Sequence, residues 1–216
     1  MPYFDDFPHP RRYNTLRLLG YDYTSTTRLC AITLVAESRR PVFADVKLAK
    51  SVIACLLSDE SLERMRVRAF TLIPNHLHLL AGVREPELDL SDVIGSFKSY
   101  TTQLYWKRSR EIVASQEVTL PSTNVSKSNF KDSQSLRYAL TDWRATLLPE
   151  VVELTNWPQV QPELFLTKQL WQTKFFDHVI RNDFDLRESL RYIALNPVRA
   201  GFVKRPQFYP YTGLLS

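Results

Sequence analysis

The chain has 216 residues, 44% of them hydrophobic and 12% aromatic, which suits one globular domain with an embellishment and excludes a disordered protein. No apolar run approaches the length that spans a membrane, and the N-terminus lacks a signal pattern, so we expect a cytoplasmic protein with no membrane partner. The formal net charge of +5 makes a polyanion a reasonable partner.

Strand and helix patterns alternate through the first half of the chain, after an irregular arm rich in Tyr, Arg and Pro over residues 1–26. Runs of β-branched and apolar residues predict strands, whereas apolar residues spaced three and four apart predict helices. In chain order, the predicted elements are a strand over 27–37, a helix over 44–57, strands over 66–73 and 76–83, and a helix from 89 to about 110.

The second half begins with a long stretch of a different character. Residues 112–164 include a Ser/Thr/Asn-rich part with almost no sustained period, and we interpret them as an insertion or a mobile subdomain. Order resumes over 170–180, which predicts a strand or a bent hairpin, and a helix runs from Asp183 toward Asn196. Pro197 disfavours helical geometry at Asn196, so we expect the helix to fray there before a Pro- and Tyr-rich tail.

The order of these elements fits an α+β fold of the ferredoxin-like kind. In such a fold a mainly antiparallel sheet carries helices on one face, and residues 1–216 form a single domain with the arm and the insertion. We expect the strand over 76–83 to be central and to pair with the preceding strand through a short turn. The sheet face opposite the helices would then be open to a ligand.

Two of the four histidines, His76 and His78, lie one residue apart in a predicted strand. Because strand side chains alternate, both imidazoles lie on one face, while Leu77 and Leu79 point into a core on the other. Imidazole is the commonest protein ligand of metals, so the pair indicates a site for a divalent ion. Taken alone, however, such a pair is more often structural or at the surface than ligating.

Tyr192 and Asn196 in the last predicted helix are four residues apart and share a face, on the flank of an apolar stripe. A tyrosine phenol can become a nucleophile, and an asparagine carbonyl is a suitable third ligand beside two imidazoles for Mn²⁺ or Mg²⁺. Tyr100 and Tyr105 lie in another predicted helix and are equally available as nucleophiles. The residues alone therefore predict a metal pair and a shortlist of tyrosines.

Two segments, taken in this order, resemble a known family. Pro74-Asn75-His76-Leu77-His78 is followed much later by Tyr192-Ile193-Ala194-Leu195-Asn196-Pro197-Val198-Arg199-Ala200-Gly201. Together they resemble the REP-associated tyrosine transposases, single-tyrosine transposases of the His-hydrophobe-His endonuclease superfamily. Segments at 18–23, 170–172 and 176–178 also resemble the family, and the similarity covers about residues 10–110 and 166–210.

The resemblance implies a role for each matching residue. His76, His78 and Asn196 match the residues that bind a divalent metal, Mg²⁺ or Mn²⁺, and Tyr192 matches the nucleophile. The implied activity is cleavage and joining of single-stranded DNA through a 5′-phosphotyrosyl intermediate, on hairpins of the repetitive extragenic palindrome type. The other two tyrosines match no catalytic position. The long segment over 112–164 departs from the usually short connection in the family.

Most of the excess positive charge lies in the C-terminal quarter, since residues 166–216 contain eight Lys/Arg and four Asp/Glu. We therefore expect contacts with DNA phosphates there. The candidates for these contacts are Arg187, Arg191, Arg199, Lys204 and Arg205. The candidates for stacking on unpaired bases are Trp171, Phe175, Tyr209 and Tyr211, of which the first two are better explained by core packing.

Two other functions fit the same residues. A domesticated protein could bind DNA hairpins without cutting them, and its histidines would hold only a structural or vestigial ion. A metal-dependent phosphodiesterase could use activated water and would tolerate the loss of Tyr192. For each function the expected partner is single-stranded or hairpin DNA, and we favour a nucleoid-associated monomer over a homodimer.

Overall fold

The structure is a computed structural model that describes residues 22–117 and 154–215. Its centre is a five-stranded antiparallel sheet in the order β4-β1-β3-β2-β5. The strands are β1 (Cys30–Val35), β2 (Met65–Ile73), β3 (His76–Val83), β4 (Phe176–Val179) and β5 (Thr212–Leu214). The α+β class and the central position of β3, joined to β2 by a short turn, are as the sequence predicted.

Two long helices cover one face of the sheet, which we call the front face. The helices that precede β4 in the chain are α1 (Val46–Leu56), the short α2 (Asp59–Arg64) and α3 (Leu90–Glu117). The two long ones are α1 and α3. Apolar side chains at alternate strand positions, such as Leu34 and Leu79, pack against the apolar stripes of α1 and α3, such as Ile53 and Ile94. This contact forms the main core, which the periodicity of the sequence predicted.

Asp45 fixes the start of α1 and ties it to α3. Its carboxylate accepts a hydrogen bond from the Leu48 N–H at 2.8 Å, as an N-cap residue does. The same carboxylate accepts two bonds from the Arg108 guanidinium of α3, at 2.9 and 2.8 Å. Because Asp45 is buried, this bidentate pair satisfies its charge between the two helices.

The last helix, α4 (Asp183–Arg199), packs on the opposite face of the sheet, which we call the back face. Leu186, Leu190 and Ile193 of α4 surround a small apolar patch made by Ala69 and Leu80. The expectation that helices share one face holds for α1 and α3. It is wrong for α4, which lies on the back face because its apolar stripe packs on this second patch. The patch becomes visible only when the register of the strands is known.

The helix α4 continues through Pro197, where the sequence predicted fraying. Asn196 and Pro197 are both buried, so their packing offsets the loss of the backbone hydrogen bond that a proline cannot donate. The helix ends before Gly201, which has a φ of 76° and donates its N–H to the Val198 carbonyl at 3.0 Å. The Phe202 N–H donates to the Pro197 carbonyl at 3.0 Å, which completes a Schellman motif.

Several element boundaries differ from the predicted ones. The helix α3 runs to Glu117 instead of ending near residue 110, because the buried Ile112 extends its packed stripe. The predicted strand or hairpin over 170–180 contains β4 and an isolated bridge between Trp171 and Ala36. The elements α2 and β5 were not predicted, and β5 is ordered by its pairing with β2 instead of by a periodic pattern.

The two predicted embellishments are described only in part. Residues 1–21 of the arm and 118–153 of the insertion lie outside the described residues, while 22–26 contain turns. At the far end of the predicted insertion, Trp157 donates its indole N–H to the Ala44 carbonyl at 3.1 Å and packs against the core. Within the described ranges, no helix is both long and apolar enough to cross a membrane.

Candidate active site

The strand register brings a row of side chains together on the back face. Residues that pair directly share a sheet face, and His78 pairs with Thr33 of β1 on one side and Thr71 of β2 on the other. Thr33 pairs in turn with Phe176 of β4, and Thr71 pairs with Thr212 of β5. We call this line across the five strands the His78 row. The Thr71 and Thr212 hydroxyls are 2.6 Å apart within it.

The two histidines point a ring nitrogen at each other, with His76 Nε2 and His78 Nε2 2.9 Å apart. The Nδ1 of His76 lies 2.7 Å from Asn75 Oδ1, which can only accept, so this Nδ1 carries the proton and leaves a lone pair on Nε2. The Nδ1 of His78 lies 2.8 Å from the Thr33 hydroxyl, which can donate or accept. Because His76 Nε2 then accepts, His78 Nε2 donates the hydrogen bond between the rings, and His78 Nδ1 accepts from the Thr33 hydroxyl. Binding of an ion would require the His78 proton to lie on Nδ1 instead, and the two Nε2 lone pairs would then converge on that ion.

The surroundings keep both imidazoles neutral. Burial, followed by the charge of Arg39, lowers the pKa of His76 from 6.5 to about 4. Burial, followed by the neighbouring His76, lowers the pKa of His78 well below its ordinary value. Neutral imidazole is the form that binds metals, so both rings are competent ligands at neutral pH.

Tyr192 of α4 is the shortlisted tyrosine that reaches the histidines. Its ring stands edge-on to the ring of His78, with 5.1 Å between centroids and 79° between planes. The Arg199 guanidinium, two turns further along α4, lies 5.1 Å from the centroid of the Tyr192 ring. Tyr105 is fully buried and Tyr100 is 40% exposed, and both belong to α3 on the front face. The fold therefore selects between tyrosines that the sequence pattern left open.

Asn196 lies one turn after Tyr192 and is only 8% exposed. Within the part of the chain that the structure describes, its Oδ1 is a buried atom with no hydrogen-bond partner. Leaving a buried acceptor unsatisfied costs about 1–3 kcal/mol, so such atoms usually have a functional or structural reason. A cation ligated by this oxygen would supply that reason.

The residues at hand fit a divalent ion with mixed ligands. Among the described residues, no group of three or more His, Cys, Asp or Glu side chains is placed to hold a metal. A site here would therefore use His76, His78 and an amide oxygen, that of Asn196. Mg²⁺ and Mn²⁺ accept further oxygen ligands from phosphate and water. The facing Nε2 atoms and the unsatisfied Oδ1 fit this set, while binding of the ion itself stays a prediction.

All five residues that were predicted to contact DNA phosphates are at least partly exposed. They are Arg187, Arg191, Arg199, Lys204 and Arg205. Arg191 lies 3.9 Å from the Glu188 carboxylate, and Arg199 also contacts the Tyr192 ring. Exposure keeps these side chains available to a polyanion, and their contact with DNA stays a prediction.

The four aromatic residues proposed for base stacking pack in the core instead. Trp171, Tyr209 and Tyr211 are buried, and Phe175 is half-buried against the main core. The Trp171 indole N–H donates to the Thr101 hydroxyl at 2.8 Å, and the Tyr209 hydroxyl donates to the Leu72 carbonyl at 2.8 Å. These bonds satisfy the polar atoms of Trp171 and Tyr209 inside the fold, and burial keeps the three rings of Trp171, Tyr209 and Tyr211 from stacking on a base.

Thr33 and Phe176 lie in the His78 row, and the sequence did not predict either position. The alternation of Thr33 with the buried Ile32 and Leu34 places the threonine on the face opposite the core. No pattern within β1 shows that this threonine pairs with His78, because strand register depends on long-range pairing. Both residues become recognisable only once β1, β3 and β4 are aligned.

Residues 26–119 match the family model described as "Transposase IS200 like". The chain is also similar to a REP-associated tyrosine transposase of Escherichia coli (strain K12), 42% identical over 45 residues, which are 21% of this chain and 27% of that protein. The resemblance to the REP-associated tyrosine transposases is confirmed. A putative REP-associated tyrosine transposase of Haemophilus influenzae is 44% identical over 43 residues, 20% of this chain and 24% of that protein. The chain thus spans about a quarter of the length of these curated relatives.

The match to the transposase family has a defined reach within the fold. Residues 26–119 contain β1 to α3 and both histidines, and the match ends before α4. The roles of Tyr192 and Asn196 therefore stay predictions supported by geometry. A solved structure of a REP-associated tyrosine transposase bound to a REP hairpin has a TM-score of 0.46 and 17% identity, and covers 89% of this chain and 79% of that chain.

Proposed function

We propose that this chain is a metal-dependent endonuclease and strand transferase that acts on single-stranded DNA next to a hairpin. The proposal rests above all on the contact between the rings of Tyr192 and His78, whose centroids are 5.1 Å apart. This contact supports the proposal because it brings the candidate nucleophile next to a candidate metal ligand. The family match over residues 26–119 supports the same chemistry, and the names of the curated relatives favour hairpins of the REP type.

In the proposed reaction, the hydroxyl oxygen of Tyr192 attacks the phosphorus of a phosphodiester. A bond forms between this oxygen and phosphorus, and the phenolic proton passes to solvent. The bond between phosphorus and the 3′ oxygen breaks, and the leaving oxygen takes up a proton to become a 3′-hydroxyl. The 5′-phosphate stays on the tyrosine, so attack by another 3′-hydroxyl reverses these changes and joins two strands without a nucleotide cofactor.

His76, His78 and Asn196 would hold the divalent ion, Mg²⁺ or Mn²⁺, which would polarise the phosphate and neutralise its developing charge. The neighbours of the two rings would orient them for this task. Asn75 fixes the His76 ring at Nδ1, and Thr33 fixes the His78 ring at the same position. Partners of this kind hold ligand rings in place and set which nitrogen is available to a metal.

The positive charges around α4 would bind the DNA backbone. Arg187, Arg191, Lys204 and Arg205 are exposed for phosphate contacts, which position the strand without reading its sequence. Arg199 would have a second task, because its guanidinium lies over the ring of the nucleophile and restricts its orientation.

A labelled hairpin with a single-stranded extension tests the proposal. Incubated with Mn²⁺ or Mg²⁺, the protein should form a covalent adduct that is lost with a chelator and in Tyr192→Phe. Tyr100→Phe, an exposed tyrosine of the front face, is the matched control and should form the adduct as the wild type does. Cleavage that survives Tyr192→Phe would indicate a phosphodiesterase that uses water. Binding without cleavage would indicate a hairpin-binding protein.

We further propose that one copy of the chain carries a complete site, because Tyr192 and His78 of the same chain are in contact. A mixture of the two inactive variants Tyr192→Phe and His78→Ala should then form no adduct. Recovery of adduct in the mixture would instead require a dimer in which α4 of one copy serves the sheet of the other.

A further inference from the structure

An exposed phenyl ring lies in the same row as the proposed metal ligand. Phe176 of β4 is 48% exposed, and its pairing with Thr33 places it on the back face. Thr33 pairs with His78 in the next strand, so Phe176, Thr33 and His78 lie level across three neighbouring strands. Because adjacent strands are about 4.8 Å apart, the backbone at Phe176 is roughly 10 Å from that at His78.

Thr33 forms the floor between these two residues. Thr33 is only partly buried, whereas Ala69 and Leu80 lie under the apolar stripe of α4. The helix therefore covers the part of the back face next to the His78 row, and the row itself leads from Tyr192 toward the edge strand β4. A strand of DNA with a phosphate at Tyr192 would follow this floor outward.

The chemistry of this edge suits unpaired DNA. An aromatic ring offers a stacking surface to any base, and single-strand binding sites combine such rings with nearby cations. The exposed Lys174 and Arg181 flank β4 on either side of Phe176. The Phe176 ring leaves half of its surface in water and lies in the same row as a candidate metal ligand, so it lacks the packing that explains the aromatic residues of the core.

We propose that Phe176 is a stacking platform for an unpaired base close to the scissile phosphate, with the DNA strand crossing Thr33 between Phe176 and His78. This inference rests on the proposed function, because the phosphate at Tyr192 fixes where the strand begins. It assigns the edge of the sheet to recognition of the single-stranded extension, as distinct from the hairpin stem.

Phe184 provides a matched control for the stacking proposal. It is 68% exposed and lies in the first turn of α4, close in sequence to β4. At 100° per residue it lies about 160° around the helix from Leu186, which packs on the sheet, so it points away from the back face. Phe176→Ala therefore removes a phenyl ring from the back face of the sheet, and Phe184→Ala removes one from the side of α4 that is turned away from the sheet.

Binding measurements with abasic sites test the proposal directly. Fluorescence anisotropy in a Tyr192→Phe background, which avoids cleavage, would compare a blunt hairpin, an extended hairpin, and extended hairpins that each lack one base. We expect Phe176→Ala to weaken binding of the extended hairpin by about tenfold, whereas Phe176→Trp should bind it as tightly as the protein with Phe176. Neither variant should change binding of the blunt hairpin, and Phe184→Ala should have little effect on either substrate. Removal of one particular base should weaken binding by a similar factor when Phe176 is present and should have no further effect in Phe176→Ala.

Equal affinities with and without Phe176→Ala would overturn the proposal, as would identical responses of both proteins to every abasic site. Thermal unfolding of each variant separates a folding defect from the removal of a stacking surface. Adduct formation by the protein with Tyr192 intact is measured in parallel. If the adduct forms normally but Phe176→Ala does not change binding, the stacking platform alone is refuted. If the effect of an abasic site depends on Phe176 but no adduct forms, the proposed cleavage is refuted.

Discussion

The two faces of the sheet differ in what their side chains need. On the front face, Leu34, Leu79 and their neighbours pack against two helices, and burial of apolar area satisfies them. On the back face, one helix covers a small apolar patch, and beside it lie two neutral imidazoles and an amide oxygen with no donor among the described residues. Burial of apolar area thus satisfies the front face, whereas the back face keeps one buried acceptor, Asn196 Oδ1, that a ligand would satisfy.

This contrast shows how one strand can serve two purposes. In β3 the alternation of side chains sends Leu77 and Leu79 to the core and His76 and His78 to the site. The apolar set fixes the register, because a slip of one residue would bury the histidines among the helices. The site is therefore positioned by the same hydrophobic burial that stabilises the fold.

The largest expected effect separates two neighbours in β2 that face opposite sides. Phe70→Ala removes a ring from the front core and should lower the free energy of unfolding by about 3–5 kcal/mol. Thr71→Val keeps the volume on the back face and removes one hydroxyl bond, so it should cost about 1 kcal/mol. Urea denaturation of both variants measures the difference, and equal effects would contradict the contrast between the faces.

Acid should destabilise the metal-free protein through the back face. The fold lowers the pKa of His76 from 6.5 to about 4, so the unfolded chain binds more protons between these values. The contribution of neutral His76 to the free energy of unfolding is fully present above pH 6.5 and is lost as pH falls toward 4. Over this range the free energy of unfolding changes by up to about 1.4 kcal/mol per pH unit for each proton taken up. Urea denaturation at a series of pH values in this range, with a chelator present to keep the protein metal-free, measures the effect. The free energy of unfolding should fall more steeply with decreasing pH for the wild type than for His76→Gln. Parallel curves would show that His76 does not titrate in this way.

Replacement of Asn196 should separate stability from function. Asn196→Leu removes the buried oxygen that lacks a donor, so we expect the metal-free protein to gain about 1–2 kcal/mol. The same variant should lose binding of Mn²⁺, measured by isothermal titration calorimetry, together with adduct formation. A loss of stability comparable to that of Phe70→Ala would mean that the amide is a structural group.

The smallest expected effect concerns the surface charges. Arg187→Gln and Arg191→Gln together should weaken binding of hairpin DNA several-fold. They should also reduce the slope of log affinity against log salt by about one for each phosphate that the protein no longer neutralises. Lys47→Gln and Lys50→Gln, on the exposed side of α1, are the matched pair on the front face. They should leave the slope unchanged, and an equal reduction from both pairs would show that binding does not distinguish the faces.

Local sequence patterns predicted the parts of the fold that local forces determine. The alternation in β3 and the apolar spacing of α1 and α3 are properties of single segments, and the structure confirms each of them. Their ends were less predictable, because the buried Ile112 extends α3 and the packing of Pro197 carries α4 past its expected end. Tertiary contacts decided both cases.

The candidate site was predictable as a set of residues but not as an arrangement. His76, His78, Tyr192 and Asn196 follow from the sequence and its resemblance to a family, and the ring contact between Tyr192 and His78 supports that choice. Thr33, Phe176 and the position of Arg199 over the Tyr192 ring depend on strand register and on the rotation of α4. Neither quantity is encoded in a single segment, so only the assembled sheet reveals them.

The measurement that tests the central claim most directly is the identification of the residue that carries DNA. After reaction with hairpin DNA and Mn²⁺, nuclease digestion followed by trypsin should give the peptide 192–199, whose one tyrosine is Tyr192, with the added mass of a 5′-phosphorylated nucleotide. The account predicts this modification in the wild type and its absence in Tyr192→Phe. A nucleotide on the peptide 99–107, which contains Tyr100 and Tyr105, or DNA cleavage that leaves every tyrosine unmodified, would contradict it.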